Sequence, residues 1–144
     1  MKLSIVATLY QSAHHIVEFY ERASATAKKL AGDDYEIILV NDGSPANSLG
    51  IAVRLTELDG HVVLVDLSRN FGHHKAMMTG LAHTQGDRIF LIDSDLEEAP
   101  EWALDFTEKM NVEDCDVVYG VQKNRKGGWF ERWSGECYYR KINF

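Results

Sequence analysis

The clearest guide to the architecture is the stretch Ile89-Phe90-Leu91-Ile92-Asp93-Ser94-Asp95, in which a short apolar run ends in two carboxylates. A continuous apolar run of this length, rich in branched residues, is typical of a strand that is covered on both faces. Similar runs occur before and after it, so the sequence predicts five strands. They are Leu3–Leu9, Glu36–Val40, Val62–Leu67, Arg88–Ile92 and Asp116–Tyr119.

Stretches with helical periodicity separate these runs, with apolar residues on one face around residues 16–30, 51–58 and 76–81. Strands that alternate with helices favour right-handed crossovers and a parallel sheet. We therefore expect an α/β fold, a three-layer α/β/α sandwich with a mainly parallel, Rossmann-like central sheet. The length of 144 residues and the 45% hydrophobic content match one domain over residues 1–144.

The charge is unevenly distributed. The net charge of -7 argues against nucleic-acid binding, yet residues 121–144 carry six Lys or Arg against two Glu. In the same segment, aromatic residues alternate with cations, and we expect a basic loop followed by an amphipathic helix. Such a tail suits phosphates or peripheral membrane contact through residues 129–144. The alternatives are an ordinary solvated helix face and a stretch whose aromatic residues cover a core edge.

The compartment is expected to be the cytoplasm, with the cytoplasmic face of a membrane as an alternative site. Two cysteines are too few for a disulfide framework, and no secretory leader opens the chain. No apolar run approaches the roughly 18 residues that a membrane-spanning helix needs.

Asp93-Ser94-Asp95 predicts a metal site. Two carboxylates at the end of a buried strand repel each other unless a cation lies between them. Mg²⁺ or Mn²⁺ accepts one or two carboxylates and leaves other positions for phosphate oxygens, which would neutralise a diphosphate leaving group. The competing interpretation is a solvated turn that caps a helix.

Two further loops begin where strands end, and parallel strands bring such loops to one edge. In Asn41-Asp42-Gly43-Ser44, glycine permits a tight turn, and the carboxylate accepts hydrogen bonds from a base or ribose or else caps the next helix. The segment from Ser68 to Lys75 leads into a helix whose amino end favours an anion. Its adjacent histidines, His73 and His74, diverge on a helix and are interpreted as surface residues or as support behind the site.

A basic loop follows the fifth strand, with Gly127-Gly128 directly behind its cations. Such a loop is able to close over a bound diphosphate. An exposed charged turn is the alternative. The cations concerned are Lys123, Arg125 and Lys126.

With these segments assembled, the chain from about Lys2 to Phe144 resembles family 2 glycosyltransferases of the GT-A fold. It is most similar to the polyprenyl-phosphate sugar transferases, which include dolichol-phosphate mannose synthases. The motifs that carry the resemblance are Leu67-Ser68-Arg69-Asn70-Phe71-Gly72, Asp93-Ser94-Asp95-Leu96-Glu97-Glu98-Ala99-Pro100, and Val117-Val118-Tyr119-Gly120-Val121 with the basic loop after it.

The resemblance implies roles for single residues. Tyr10 and Asp42 are expected to line the nucleobase pocket. Asp93 is expected near ribose and metal, and Asp95 on the metal that holds the diphosphate. Arg125 matches a basic-loop position that contacts phosphate.

Other donor-site residues are expected in the same loops, and some positions depart from the family pattern. Glu97, near the sugar diphosphate, stands where the family usually has Gln. The first strand has Thr8, Gln11 and Ser12 in place of a Pro and an Asn-Glu pair, and Gln122 replaces a frequent Arg. The remaining expected donor contacts are Gly43, Asn70 and Gly72.

The function implied is transfer of a sugar from a UDP- or GDP-sugar to an acceptor, a polyprenyl phosphate in the first instance, with inversion at the anomeric carbon. A saccharide acceptor in cell-surface polysaccharide synthesis is an alternative. The family places its acceptor segment and general base beyond the position of Phe144. A second alternative is therefore a truncated donor-binding module that does not turn over. Self-association into a homo-oligomer is a further expectation. Phosphatase chemistry needs the acidic pair after the first strand, and a dinucleotide oxidoreductase needs a Gly-x-Gly-x-x-Gly that is missing.

Overall fold

The structure is a computed structural model that describes residues 1–45, 47–121 and 134–140. It contains two compact units, Met1–Glu101 and Trp102–Phe144. The first unit holds all the parallel strands and the acidic pair. Its elements are β1 (Leu3–Leu9), α1 (Ile16–Ala31), β2 (Tyr35–Asn41), α2 (Ser48–Leu58), β3 (Val62–Asp66), α3 (His73–Ala82) and β4 (Arg88–Asp93).

The four strands of the first unit form one parallel sheet in the order β3-β2-β1-β4. The predicted α/β fold with a mainly parallel sheet is therefore confirmed. The chain moves outward from β1 to β3 and then returns to the other side of β1, so right-handed crossovers place α3 on the face opposite α1 and α2. This reversal between β1 and β4 is a topological switch point, where open parallel sheets bind ligands.

The core is built on β1 and β2, in which every residue is buried. Alternate residues face opposite layers. On one face, Val6, Ile38 and Val40 form a cluster with Ala76 of α3. A Cβ atom added at Gly80 would lie 2.9 Å from Cγ2 of Val40, so the small side chains of α3 allow the helix to approach the sheet closely.

A polar cluster lies at the amino-terminal edge of this sheet. Oδ2 of Asp59 accepts a hydrogen bond of 2.7 Å from the Tyr20 hydroxyl, and its Oδ1 accepts one of 2.9 Å from the His61 backbone N–H. The His61 ring stacks on Tyr35 with centroids 4.2 Å apart. Burial alone would raise the pKa of Asp59, but these hydrogen bonds and the His61 ring lower it to about 2. Burial and the bond to Asp59 raise the pKa of Tyr20 to about 12.

The second unit contains α4 (Trp102–Glu113), β5 (Cys115–Val121) and β6 (Ser134–Arg140). The last two strands pair in antiparallel fashion. The expectation of an amphipathic helix after the basic loop is therefore wrong for Ser134–Arg140, where Gly135 disfavours a helix and the Tyr pair favours a strand. Cys115 is disulfide-bonded, which the low cysteine count did not lead us to expect.

Within the part of the chain that the structure describes, no helix is long and apolar enough to traverse a bilayer.

Candidate donor site at the carboxyl edge of the sheet

The carboxyl ends of the four parallel strands bring four loops to one edge of the first unit. Leu9 of β1 and Asn41 of β2 are register partners, as are Thr8 of β1 and Asp93 of β4. Asp42, directly after β2, and Asp93, the last residue of β4, thus lie on opposite sides of β1, about 10 Å apart by ordinary strand spacing. The predicted convergence of loops is a direct consequence of this register.

Asp42 is almost completely buried, with 3% of its surface exposed. Its Oδ1 accepts a hydrogen bond of 2.7 Å from the backbone N–H of Phe71, and its Oδ2 accepts one of 3.1 Å from that of Gly72. The Gly72 N–H is shared with Oδ1 of Asn70 at 3.0 Å. The Asp42 carboxylate at the end of β2 therefore binds the segment that leads into α3. This hydrogen bond joins two of the predicted donor residues, Asp42 and Gly72.

Gly43 makes the close contact between these two loops possible. Its φ of 60° lies in the left-handed region, which residues with a Cβ adopt at a cost. A Cβ at this position would lie 2.5 Å from the carbonyl carbon of Arg69 and still closer to the backbone nitrogen of Asn70. The glycine predicted from the turn is thus required both by its conformation and by its neighbour.

The middle residue of the acidic motif, Ser94, is a buried structural link with 1% exposure. Its Oγ donates a hydrogen bond of 2.7 Å to the carbonyl oxygen of Thr8 and lies 3.0 Å from Oγ of Ser12. Ser12 in turn donates to the carbonyl of Tyr10 at 3.0 Å. The acidic turn and the loop after β1 are therefore joined, and the Tyr10 ring remains 48% exposed at the edge.

Asp93 shares its Oδ1 with two neighbours. The Thr8 hydroxyl donates to it at 3.3 Å, and Nδ1 of His73 lies 3.6 Å from it. Nδ1 of His73 also lies 3.3 Å from the Thr8 hydroxyl. His73 therefore contacts Asp93 from the side of α3. The sequence predicts it to be a surface residue or a support behind the site.

Asp95 is exposed, and its Oδ1 accepts a hydrogen bond of 3.0 Å from the backbone N–H of Glu97. The intervening Leu96 has a φ of 64°, and Gln11 in the loop after β1 has a φ of 54°. Branched and long side chains rarely adopt this region, and such strain is concentrated at functional sites. The turn at Leu96 reverses the chain and leaves the Asp95 carboxylate at the rim.

Glu98 is a fourth carboxylate in this turn, after Asp93, Asp95 and Glu97, and the sequence analysis did not select it as a site residue. Burial raises its pKa, and the negative charges of Asp93 and Asp95 raise it further. A hydrogen bond from the Asp93 backbone opposes this shift. The local field is thus strongly negative before any ligand binds, and a cation is the chemical species that would relieve it.

Comparisons with known proteins identify the family. The model of glycosyl transferase family 2 matches residues 4–144. This chain belongs to glycosyl transferase family 2. A protein of Mycobacterium tuberculosis bearing the name "Putative glycosyltransferases" is 52% identical over 140 residues, which cover 97% of this chain and 41% of that protein. The chain therefore spans less than half the length of this glycosyltransferase relative.

Solved structures of other proteins share the fold at low identity. S. aureus TarS, residues 1–349, superimposes with a TM-score of 0.67 and 22% identity over 90% of this chain and 39% of that one. A mannosyltransferase from Pyrobaculum calidifontis, solved with GDP-Man and Mn²⁺, gives a TM-score of 0.66 and 20% identity over 76% of this chain and 32% of that one. The resemblance to this family and its GT-A fold is therefore confirmed, whereas the particular similarity to polyprenyl-phosphate transferases stays a prediction.

The chemistry of the acidic turn fits a hard divalent cation. Carboxylate oxygens are the preferred ligands of Mg²⁺ and Mn²⁺, and the pKa of Glu98 is raised first by burial and then by the negative charges of Asp93 and Asp95. Among the described residues, no group of three or more His, Cys, Asp or Glu side chains is arranged to hold a metal on its own. Two carboxylates completed by diphosphate oxygens match the way Mg²⁺ is commonly bound.

The structure brings most of the expected donor-site residues of this family 2 chain to one edge, in two groups. One group forms the contact between the loop after β2 and the loop after β3, which is called the third loop below; it contains Asp42, Gly43, Asn70 and Gly72. The other group is the acidic turn, with Asp93, Asp95 and Glu97. Tyr10 lies on the loop bonded to that turn. Arg125 and the rest of the basic loop lie outside the described residues.

Proposed function

We propose that this chain binds the UDP- or GDP-sugar donor of a family 2 glycosyltransferase, with Mg²⁺ or Mn²⁺ at the acidic turn. The observation that carries the proposal is the position of Asp93-Ser94-Asp95 at the switch point between β1 and β4. Solved relatives with the same fold were crystallised with UDP, UDP-GlcNAc or GDP-Man and Mn²⁺. These ligands belong to those proteins, and they support the class of donor proposed for this one.

Different residues of the chain would bind different parts of the donor. Tyr10 offers an exposed ring beside the loop after β2, which suits a nucleobase. The exposed Asp95 and the half-buried Asp93 would hold the cation. When bound, the cation would neutralise charge on the departing diphosphate. Arg125 is proposed as an additional phosphate contact.

Asp42 would serve the donor site chiefly by shaping it. Both of its oxygens already accept backbone hydrogen bonds from Phe71 and Gly72, and its side chain is buried. A carboxylate oxygen has a second lone pair, so a further hydrogen bond from a base or ribose remains possible in chemical terms. The proposed role in base recognition is therefore secondary to its role in fixing the third loop.

For the acceptor, we propose a polyprenyl phosphate, with inversion at the anomeric carbon. A phosphate nucleophile is already anionic, so the reaction makes little demand on a general base. The excess of Lys and Arg in residues 121–144 suits an acceptor with an anionic head group at a membrane surface. A saccharide acceptor is the competing outcome.

A thermal-shift titration tests donor binding. UDP or GDP should raise the melting temperature, with a larger rise when Mn²⁺ is present, because a ligand that binds only the folded state stabilises it. Asp95→Asn should remove the Mn²⁺-dependent part. Asp33→Asn, a matched change at an exposed aspartate before β2, should leave it intact. The absence of a shift with either nucleotide would exclude the proposed function.

A turnover assay separates the transferase from a binding module. The chain is incubated with nucleotide-sugar, Mn²⁺ and either a polyprenyl phosphate or a saccharide, and release of nucleoside diphosphate is followed. Product with the lipid phosphate alone supports the proposed acceptor, and product with the saccharide alone replaces it. Nucleotide binding without any product assigns this chain to donor binding only.

A further inference from the structure

Thr8 and His73 form a contact with Asp93 that the motif itself does not specify. Thr8 and Asp93 are register partners on adjacent parallel strands, so their side chains leave the sheet on the same face. The Thr8 hydroxyl is 3.3 Å from Oδ1 of Asp93 and 3.3 Å from Nδ1 of His73. Nδ1 of His73 is 3.6 Å from the same carboxylate oxygen. One oxygen of the acidic motif is thus contacted by two side chains.

The packing of α3 places His73 in this position. His73, Ala76 and Gly80 are spaced by three and four residues and therefore lie along one stripe of the helix. Ala76 is buried against the sheet, and Gly80 has no room for a Cβ beside Val40. Because the two small residues let the helix approach the sheet closely, the first residue of the same stripe reaches the end of β1.

The start of α3 is fixed independently by Asp42. Its carboxylate accepts hydrogen bonds from Phe71 and Gly72, the two residues before His73. His73 is therefore held from two directions, by packing along the helix and by hydrogen bonds to the preceding backbone. An exposed imidazole with a fixed backbone loses less conformational entropy when it makes a contact than a side chain on a free loop would.

The chemistry of the three groups gives the hydrogen bonds a direction. A carboxylate only accepts, so the single hydrogen of the Thr8 hydroxyl goes to Asp93. The lone pairs of the same hydroxyl then accept from Nδ1 of His73. The result is a chain of hydrogen bonds from His73 through Thr8 to Asp93, in which each donor has one acceptor.

We propose that Thr8 and His73 are positioning residues that hold Oδ1 of Asp93 so that its other oxygen faces the cation. This inference rests on the proposed function, because it concerns the same cation. Among the described residues, the side-chain contacts of the Asp93 carboxylate fall on Oδ1. Removal of a group that orients a ligating carboxylate in this way commonly lowers metal affinity strongly.

Thr8 is a buried donor at the end of β1, and its hydroxyl donates to Oδ1 of Asp93 at 3.3 Å. The side chain is 7% exposed, so its hydroxyl bonds within the protein rather than to solvent.

The first test measures Mn²⁺ affinity by electron paramagnetic resonance in the presence of whichever of UDP and GDP binds. Thr8→Val and His73→Leu should each weaken Mn²⁺ binding by about tenfold or more, as is common for groups behind a metal ligand. Thr8→Ser and His73→Asn keep the donor atoms and should restore most of the affinity. His83→Leu, at the other end of α3, is the matched control and should bind as the wild type does.

The second test needs no metal. Ring nitrogen chemical shifts of His73 in the metal-free wild type should show a hydrogen on Nδ1, and they should move in Thr8→Val. Nδ1 without hydrogen in the wild type would overturn the hydrogen-bond chain even if a variant folds poorly. Unchanged Mn²⁺ affinity in both Thr8→Val and His73→Leu would overturn the positioning role.

The two proposals fail in different ways. If the wild type and Asp95→Asn both fail to bind Mn²⁺ with nucleotide, the proposed function is wrong, and the role toward the cation falls with it. If the wild type binds Mn²⁺, Asp95→Asn does not, and the Thr8 and His73 variants match the wild type, only the further inference is wrong.

Discussion

Oδ2 of Asp42 accepts a hydrogen bond of 3.1 Å from the backbone N–H of Gly72, so a buried carboxylate at the end of β2 fixes the residue that precedes α3. Gly72 has no side chain with which to cap this helix. Asp42, from a distant part of the sequence, accepts instead from the N–H groups of Phe71 and Gly72, which lie just before the helix. The backbone that leads into α3 is therefore held by the sheet.

Asp42→Asn should destabilise the chain by about 1–3 kcal/mol, because an amide nitrogen would face a backbone N–H and the charge-assisted bonds would be lost. The free energy of unfolding from urea titrations followed by far-ultraviolet circular dichroism measures this. Asp33→Asn, at an exposed aspartate, is the matched control and should change stability little. Equal stability of the two variants would show that the carboxylate does not hold the third loop.

Gly43→Ala should cost about 2–4 kcal/mol, since the added methyl group meets the backbone of the third loop and the residue must keep a positive φ. Gly60→Ala is the control, because Gly60 does not have a positive φ and nothing lies within 4 Å of an added Cβ. It should change stability by at most about 1 kcal/mol. Thermal denaturation of the two variants side by side gives the difference, and similar melting temperatures would contradict the close approach.

Asp59→Asn should destabilise the protein at neutral pH by about 1–3 kcal/mol and less in acid. The folded pKa of Asp59, about 2, lies below the ordinary aspartate value of 3.8. Its contribution to stability is therefore present above the unfolded pKa and is lost as the pH falls through about 2. Urea titrations at several pH values give the free energies of unfolding of the wild type and Asp59→Asn. The two values should converge as the pH falls from neutrality to strong acid. A stability difference that does not depend on pH would refute this linkage.

Glu98→Gln should stabilise the metal-free chain at neutral pH. The pKa of Glu98 is raised by burial and by Asp93 and Asp95, so the folded state retains a proton that the unfolded state has released. Stability therefore falls as the pH rises from the unfolded pKa through the folded one. The melting-temperature difference between variant and wild type should grow from mild acid to neutrality. Glu108→Gln, on α4, serves as a control that should show no such trend.

The strands were predictable because their apolar runs carry the information locally. β1 extends over the predicted Leu3–Leu9, and β4 extends one residue past the predicted Arg88–Ile92, to Asp93 of the acidic motif. Helix α4 was not predicted, and its apolar face is weakly marked. The sequence predicts a helix where β6 forms, because aromatic residues mixed with cations fit either structure and only the pairing with β5 distinguishes them.

The composition of the edge was predictable, but its internal contacts were not. The sequence identifies Asp42, Asp93 and Asp95 because each follows an apolar run. It does not reveal that Leu96 turns the chain with a positive φ and brings Glu98 beside the acidic pair, since an apolar residue gives no sign of that conformation. The contact of His73 with Thr8 depends on how close α3 lies to the sheet, which is a property of the assembled fold.

Gly80 illustrates how far such a dependence extends. It lies seven residues beyond His73, about 10 Å along the helix axis, and carries no polar side-chain atom. Any larger side chain there would lift the helix from Val6 and Val40 and tilt the imidazole away from β1. The position of the imidazole at the acidic motif thus depends on side-chain size at a core residue that has no ionisable group. Apolar substitutions in the core are therefore able to change metal affinity while every ligating atom stays the same.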